Sequence, residues 1–204
     1  VLLCTTLPAN AAVSPQEAAR LGADLTPMGA ERAGNADGTI PEWTGGIRSP
    51  AEAGFPDYKT GQHHPDPFAN DKPLFTITPE NMAQYASKLT EGHKKLLETY
   101  KSTYKMVVYP TRRSAAFPQR IYDATKRVAT TAQLTGDGKG VTGAVEGIPF
   151  PIPKQGVEVF WNHVLRYRAD TAMRTFGQAP VTASGAYTLV KFRDEFLFQY
   201  SVPG

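Results

Sequence analysis

The stretch Gly147–Arg168 reads GIPFPIPKQGVEVFWNHVLRYR. It opens with Pro149, Pro151 and Pro153 alternating with Ile148, Phe150 and Ile152. Proline fixes φ, removes a backbone donor and pushes the residue before it into extended geometry, so this half is a stiff arm. From Gly156 the pattern turns helical. At 100° per residue Phe160, Val164, Val157, Trp161 and Leu165 fall on one apolar arc, with Glu158 at its border and Asn162, His163 and Arg166 on the other side. A helix of this kind needs an apolar surface to lie on.

The sequence after Arg168 supplies a candidate for that surface, because its period switches to two. Strands are predicted over Thr171–Phe176, Ala186–Arg193 and Glu195–Val202, with Arg193-Asp194 as the tight turn between the last two. Phe196, Phe198, Tyr200 and Val202 then share one face, opposite Glu195, Leu197, Gln199 and Ser201. The resulting expectation is an α+β chain: a curved antiparallel meander whose aromatic face is covered by the 156–165 helix. A sheet ending on the Glu195–Val202 strand would leave a long open edge, so further strands are expected to follow.

Upstream, Ser14-Pro15-Gln16-Glu17 is a capping box with Pro at the first helical position, opening a helix over Pro15–Leu21 that Gly22 closes. Ala23–Ile77 shows no sustained period, and its scattered Ile40, Trp43, Ile47, Phe55, Phe68, Leu74 and Phe75 predict a long loop wrapped on a core. Thr78-Pro79-Glu80 starts a second helical region, broken near Thr90 and Gly92. A short strand follows over Met106–Tyr109, and a helix over Phe117–Ala132. Gly136, Gly138 and Gly140 form a turn-rich link back to the opening stretch.

The chain has 204 residues, 41% hydrophobic and 20% charged, with a net charge of +3. These are values of a globular chain, and the weak, mixed charge with no basic run argues against nucleic acid as a partner. Residues 1–11, VLLCTTLPANA, resemble the end of a secretory signal peptide, with Ala9-Asn10-Ala11 fitting the cleavage pattern. Cleavage there removes Cys4, the single cysteine, and leaves residues 12–204 as one domain without a disulfide. The expected location is the periplasm.

Sites of chemistry are few. Glu158, Asn162 and His163 sit close on one helix, but no second histidine completes a zinc-protease pattern, and a hydrated face or bonds to loop backbone suffice. No nucleophile elbow or phosphate-cradling loop is present. Asn35, Asp37 and Gly38 match part of a calcium loop, yet Ala33 and Thr44 stand where its first and last ligands belong. In that loop Asp37-Gly38 reads as a turn, and Trp43 as a plug into the core beside Gly45-Gly46. His63-His64 with Asp66 reads as a solvated loop. No catalytic residue, metal or cofactor is predicted.

Three ordered blocks carry a resemblance. Leu25–Glu31 with Gly34–Gly46 (GNADGTIPEWTGG), Tyr109-Pro110-Thr111-Arg112-Arg113, and Gly147–Pro153 with Trp161-Asn162-His163 look like those of the DUF1329 family. The resemblance implies a fold similar to the LolA/LolB lipoprotein-sorting proteins, an unclosed half-barrel covered by helices around an apolar cavity. The present chain would be its N-terminal, incomplete portion. It also implies a Gram-negative envelope location and association with RND-type exporters. The function expected on this basis is binding or carriage of a lipid, acyl chain or other hydrophobic ligand. Phe196, Phe198 and Tyr200 would line the sheet side, and Phe160, Trp161 and Leu165 the lid; the same six would equally fill an ordinary core. The alternatives are an adaptor docking on an RND-type transporter through the long loop and, less favoured, an envelope hydrolase.

Overall fold

A computed structural model describes residues 12–202; the signal-peptide reading of residues 1–11 lies outside the described residues. The chain divides into two compact units. One joins the residues up to Arg32 with those from Phe117 onward, and the other is Ala33–Ala116. Helices alternate with three two-stranded antiparallel sheets among the described residues, so the chain is α+β, and these sheets are not closed into a barrel.

In the first unit α1 (Pro15–Ala18) is a single turn with the full Ser14–Glu17 capping box. The chain then turns through Gly22 at φ +87° instead of continuing helically to Leu21. α1 rests on α3 (Gln119–Val128) and the turn after it: Val13, Ala18, Leu21 and Ala129 form one buried cluster, and the Val13 amide donates to the Ala129 carbonyl at 3.0 Å.

The second unit is organised by a short ribbon that pairs β1 (Phe75–Ile77) with β2 (Met106–Val108). β2 is the predicted strand, stopped before Pro110. Its partner comes from the tail of the predicted loop, where three residues are too few to show a period. The helical region between them divides near Thr90, as its sequence suggests. A 3₁₀ segment spans Met82–Lys88, and α2 (Glu91–Thr99) starts with the Thr90 hydroxyl accepting the His93 amide. The first of these begins at Met82 rather than Pro79, because Asn81 uses its side chain to accept from the Thr78 amide and donate to the Thr76 carbonyl. Ile77, Leu89 and Leu97 form the core of this unit.

Back in the first unit, the glycine-rich link is a hairpin: β3 (Gln133–Thr135) pairs with β4 (Gly140–Thr142). Gly136, Asp137 and Gly138 all take positive φ in its loop, which supplies the twist that a tight hairpin needs. α4 (Gly156–Val164) follows the proline arm, and the chain ends in the hairpin of β5 (Thr171–Gln178) and β6 (Val190–Leu197).

Two expectations are corrected at this end. Arg193-Asp194 is not a turn: both residues lie inside β6, paired with Thr175 and Arg174. The connection is made by Thr182–Ala186, with Gly185 at φ +83°. The three-strand meander is therefore one long hairpin, and its last strand stops at Leu197 with a 3₁₀ turn over Gln199–Ser201. Asp194 belongs in the strand because it faces Arg174 across the ladder, 2.8 Å from Nη2.

Candidate functional site

The proline arm and α4 are held together by polar groups that the arm leaves unpaired. With proline at every second position, the arm joins no ladder, yet Ile148, Pro149, Phe150 and Pro151 are buried, so their backbone groups need other partners. Asn162 supplies two. Its Oδ1 accepts the Phe150 amide at 2.9 Å and its Nδ2 donates to the Phe150 carbonyl at 2.6 Å. Glu158 Oε2 accepts the Lys154 amide at 2.6 Å just before the helix starts, while the Ile148 amide donates to Thr125 Oγ1.

This backbone demand draws Glu158 inward and leaves one residue of the predicted apolar arc, Phe160, outside. Glu158 is not on a hydrated face; it is fully buried, and Phe160 is 58% exposed. Val157, Trp161, Val164 and Leu165 of the predicted arc are half-buried as expected, and Glu158 and Asn162 join them on the inward side. Trp161 packs beside Ala132 and Phe150 with Leu134, Val141 and Ala144, and its Nε1 donates to the Gly138 carbonyl at 2.9 Å. The surface under Trp161 is thus the β3–β4 hairpin, and the expected cover of α4 over the aromatic strand is replaced by this packing. His163 is exposed and contributes its carbonyl to Arg166.

The aromatic face of the C-terminal hairpin is present and extends further than its predicted residues. Register places Ala172, Arg174 and Phe176 opposite Phe196, Asp194 and Phe192 on one side of the ribbon. Phe176 and Phe192 stack at 5.3 Å between ring centroids. The Arg174 guanidinium lies 4.5 Å from the Phe176 ring and 5.1 Å from Phe196, bridging the two rings. Phe196 stacks on Phe198 at 5.8 Å, and Phe198 meets Tyr200 at 5.9 Å. Rings and guanidinium form one stripe along the ribbon, with Phe192 40% and Phe196 37% exposed.

The six predicted residues therefore fall into two groups. Phe196, Phe198 and Tyr200 touch in series, and Phe160 meets Trp161 edge to face on α4. Leu165 is half-buried at the end of that helix. Phe176, Phe192, Arg174 and Arg168 belong to the stripe and were not predicted. The signal for Phe192 was present: Phe192, Phe196 and Phe198 keep one period of two, obscured only by a turn assigned to Arg193-Asp194.

An ion cluster ties the base of the stripe to α3. Arg120 bonds Glu146 and Asp170, with Asp170 Oδ1 at 2.5 Å, and Tyr167 Oη at 3.2 Å. The hydrogen bond that Arg120 donates to Asp170 holds its guanidinium above the ordinary pKa. The backbones of the same segments are joined as well: the Glu146 amide donates to the Tyr200 carbonyl, and the Phe198 amide to the Asp170 carbonyl. Glu146 and Ala169 take positive φ here, at +59° and +82°.

In the second unit, the predicted calcium-like loop is closed by Asn35, whose Oδ1 accepts the Ile40 amide and whose Nδ2 donates to Thr39. Trp43 is half-buried and Nε1 donates to the Ala115 carbonyl at 2.9 Å. A Cβ on Gly46 would stand 2.4 Å from that same oxygen. Arg113 donates to the carbonyls of Ala33 and Pro41, and Arg112 grips Asp71, which raises the Arg112 pKa. His64 stacks on Tyr58, with Nδ1 3.2 Å from the phenol oxygen. Open depressions of about 430 Å³ and 350 Å³ are both lined by Phe55 and Tyr58. No group of His, Cys, Asp or Glu able to hold a metal occurs among the described residues, and no helix among them is long and apolar enough to cross a membrane.

The blocks that suggested a family are those that hold each unit together: Gly46 and Trp43 against Ala115, and Gly29 against the proline arm at Pro151. The family model for "Protein of unknown function (DUF1329)" matches residues 76–204. The chain belongs to the DUF1329 family. It is 47% identical over 189 residues to Uncharacterized protein PA3922 of Pseudomonas aeruginosa, an alignment that covers 93% of this chain and 41% of that protein. The DUF1329 chain described here thus spans less than half the length of this relative. No solved structure matches it.

Proposed function

We propose that this DUF1329 chain is part of a periplasmic protein that binds or carries a hydrophobic ligand, a lipid or acyl chain, and is not an enzyme. The observation that carries the reading is the solvent-facing aromatic stripe of the β5–β6 hairpin, built from Phe176, Phe192, Phe196 and Phe198. Exposed apolar surface of this kind is a recurrent mark of a ligand or partner site. A two-stranded ribbon is also marginal in isolation. In the longer family proteins we infer that further strands extend it toward an unclosed, LolA/LolB-like half-barrel around the stripe. At about 25 cal/mol per Å² of apolar surface, an acyl chain could be held there largely by burial.

Lipid extraction and native mass spectrometry of the full-length family protein purified from its envelope test this. A co-purifying lipid supports the reading, and its loss in Phe196→Glu with the fold retained locates it. A protein that carries none, and takes none from vesicles, overturns it. The depressions lined by Phe55 and Tyr58 favour one second reading, an adaptor that docks on an RND-type transporter through Ala33–Ala116. Capture of such a transporter by a lipid-free protein, abolished by Tyr58→Ala, would favour the adaptor.

A further inference from the structure

The aromatic stripe ends on a cation whose partners differ from those of Arg174, Arg193 and Arg120. Arg174 is neutralised by Asp194 at 2.8 Å, Arg193 by Glu195 at 2.9 Å, and Arg120 by Glu146 and Asp170. Arg168 forms no ion pair with a carboxylate among the described residues. Asp170, the acid nearest to it in sequence, is taken up by Arg120. Arg168 is nevertheless held in place. Its guanidinium lies 4.8 Å from the Phe198 ring centroid, and Nη2 donates to Tyr200 Oη at 2.9 Å. Stacking and one neutral hydrogen bond fix the plane of the fork without cancelling its charge, and the remaining N–H groups suit a planar oxyanion.

We propose that the stripe takes a single-chain amphiphile with an anionic head, the head on Arg168 and the chain laid along Phe198 and Phe196. The inference rests on the hydrophobic-ligand reading above and adds the polarity of the ligand. The occupant is an amphiphile and not a free anion because apolar rings run directly away from the cation: Phe198 under Arg168, Phe196 stacked on Phe198, then Phe176 and Phe192 beyond Arg174. A charged head in contact with an oriented guanidinium gains a charge-assisted bond that an uncharged head of the same chain lacks.

The test is a fluorescence titration of the full chain with dansylaminoundecanoate and, separately, with its methyl ester. The expected result is binding of both, with the carboxylate about tenfold tighter. Arg168→Gln should abolish that preference, Arg168→Lys should restore part of it, and Phe196→Ala should weaken both probes. Equal binding of the two probes by the wild-type chain overturns the inference and leaves the hydrophobic-ligand reading intact. A preference that survives in Arg168→Gln overturns it as well. Displacement of the carboxylate probe by acetate or inorganic phosphate at equal concentration points to a plain anion site and overturns the amphiphile. Binding of neither probe overturns the inference and the reading beneath it. The wild-type comparison needs no variant, so a misfolded substitution does not protect the proposal.

Discussion

At the scale of single residues, the polar side of α4 has the clearest consequences. Asn162→Ala leaves the Phe150 amide and carbonyl without partners in a buried arm, so a loss of about 1–3 kcal/mol is expected in denaturant unfolding. Glu158→Gln keeps an acceptor for the Lys154 amide and should be nearly neutral, whereas Glu158→Ala should cost stability. If Gln is as harmful as Ala, the carboxylate has a role beyond accepting that bond. Glycine contrasts are equally sharp. A Cβ at Gly29 would stand 1.7 Å from the Pro151 carbonyl oxygen, while Gly22, at nearly the same positive φ, has open space around it. Gly22→Ala should cost about 1–2 kcal/mol from backbone strain alone, and Gly29→Ala clearly more, read as the difference between the two unfolding midpoints. The Glu17 carboxyl is held below its ordinary value of 4.5, chiefly by the hydrogen bond from the Ser14 amide and then by the Ser14 side chain. A carboxyl lowered in this way stabilises the cap above the unfolded value and loses that effect as pH falls through the folded one. The protection of the α1 amides, taken relative to the intrinsic exchange rate at each pH, should therefore fall on acidification below about pH 4.5, and Glu17→Gln should remove that dependence.

At the scale of elements, the Arg120 cluster decides how the stripe is mounted. Arg120 reaches from α3 to Glu146, which is 8% exposed on its side chain, and to Asp170 at the start of β5. Arg120→Met should speed hydrogen exchange of the Glu146 and Phe198 amides, whose acceptors Tyr200 and Asp170 lie on the clamped segments. Unchanged exchange there would mean that the backbone bonds alone hold the hairpin. Element types were largely legible. α3 and α4 begin where proline and glycine signals place them, α1 starts on its capping box, and β2 stops before Pro110. The facing of α4 was legible for Val157, Trp161, Val164 and Leu165 but not for Phe160 and Glu158, because the unpaired backbone of the proline arm draws Glu158 inward. The hairpin turn was missed because Arg193-Asp194 has turn-like composition, while its place in the ladder depends on a partner twenty residues away, Arg174.

At the scale of the whole molecule, each unit has its own core and can be probed by itself. Leu97 is fully buried with Ile77 and Leu89, and Ile121 is fully buried in α3. Leu97→Ala should cost about 2–5 kcal/mol, read at amides of β1, α2 and β2, and Ile121→Ala a similar amount read at α3. Composition, charge and block order were enough to give the helix-and-strand class and the family, because periodicity, caps and motif order are local properties of the chain. Tertiary structure alone decided that Glu158 is buried and Phe160 exposed on α4, where the C-terminal hairpin turns, and that Arg174 and Arg168 join Phe176, Phe192, Phe196 and Phe198 in one stripe. Those outcomes depend on satisfying buried backbone groups and pairing charges between residues distant in sequence, and no local pattern records where such partners will stand.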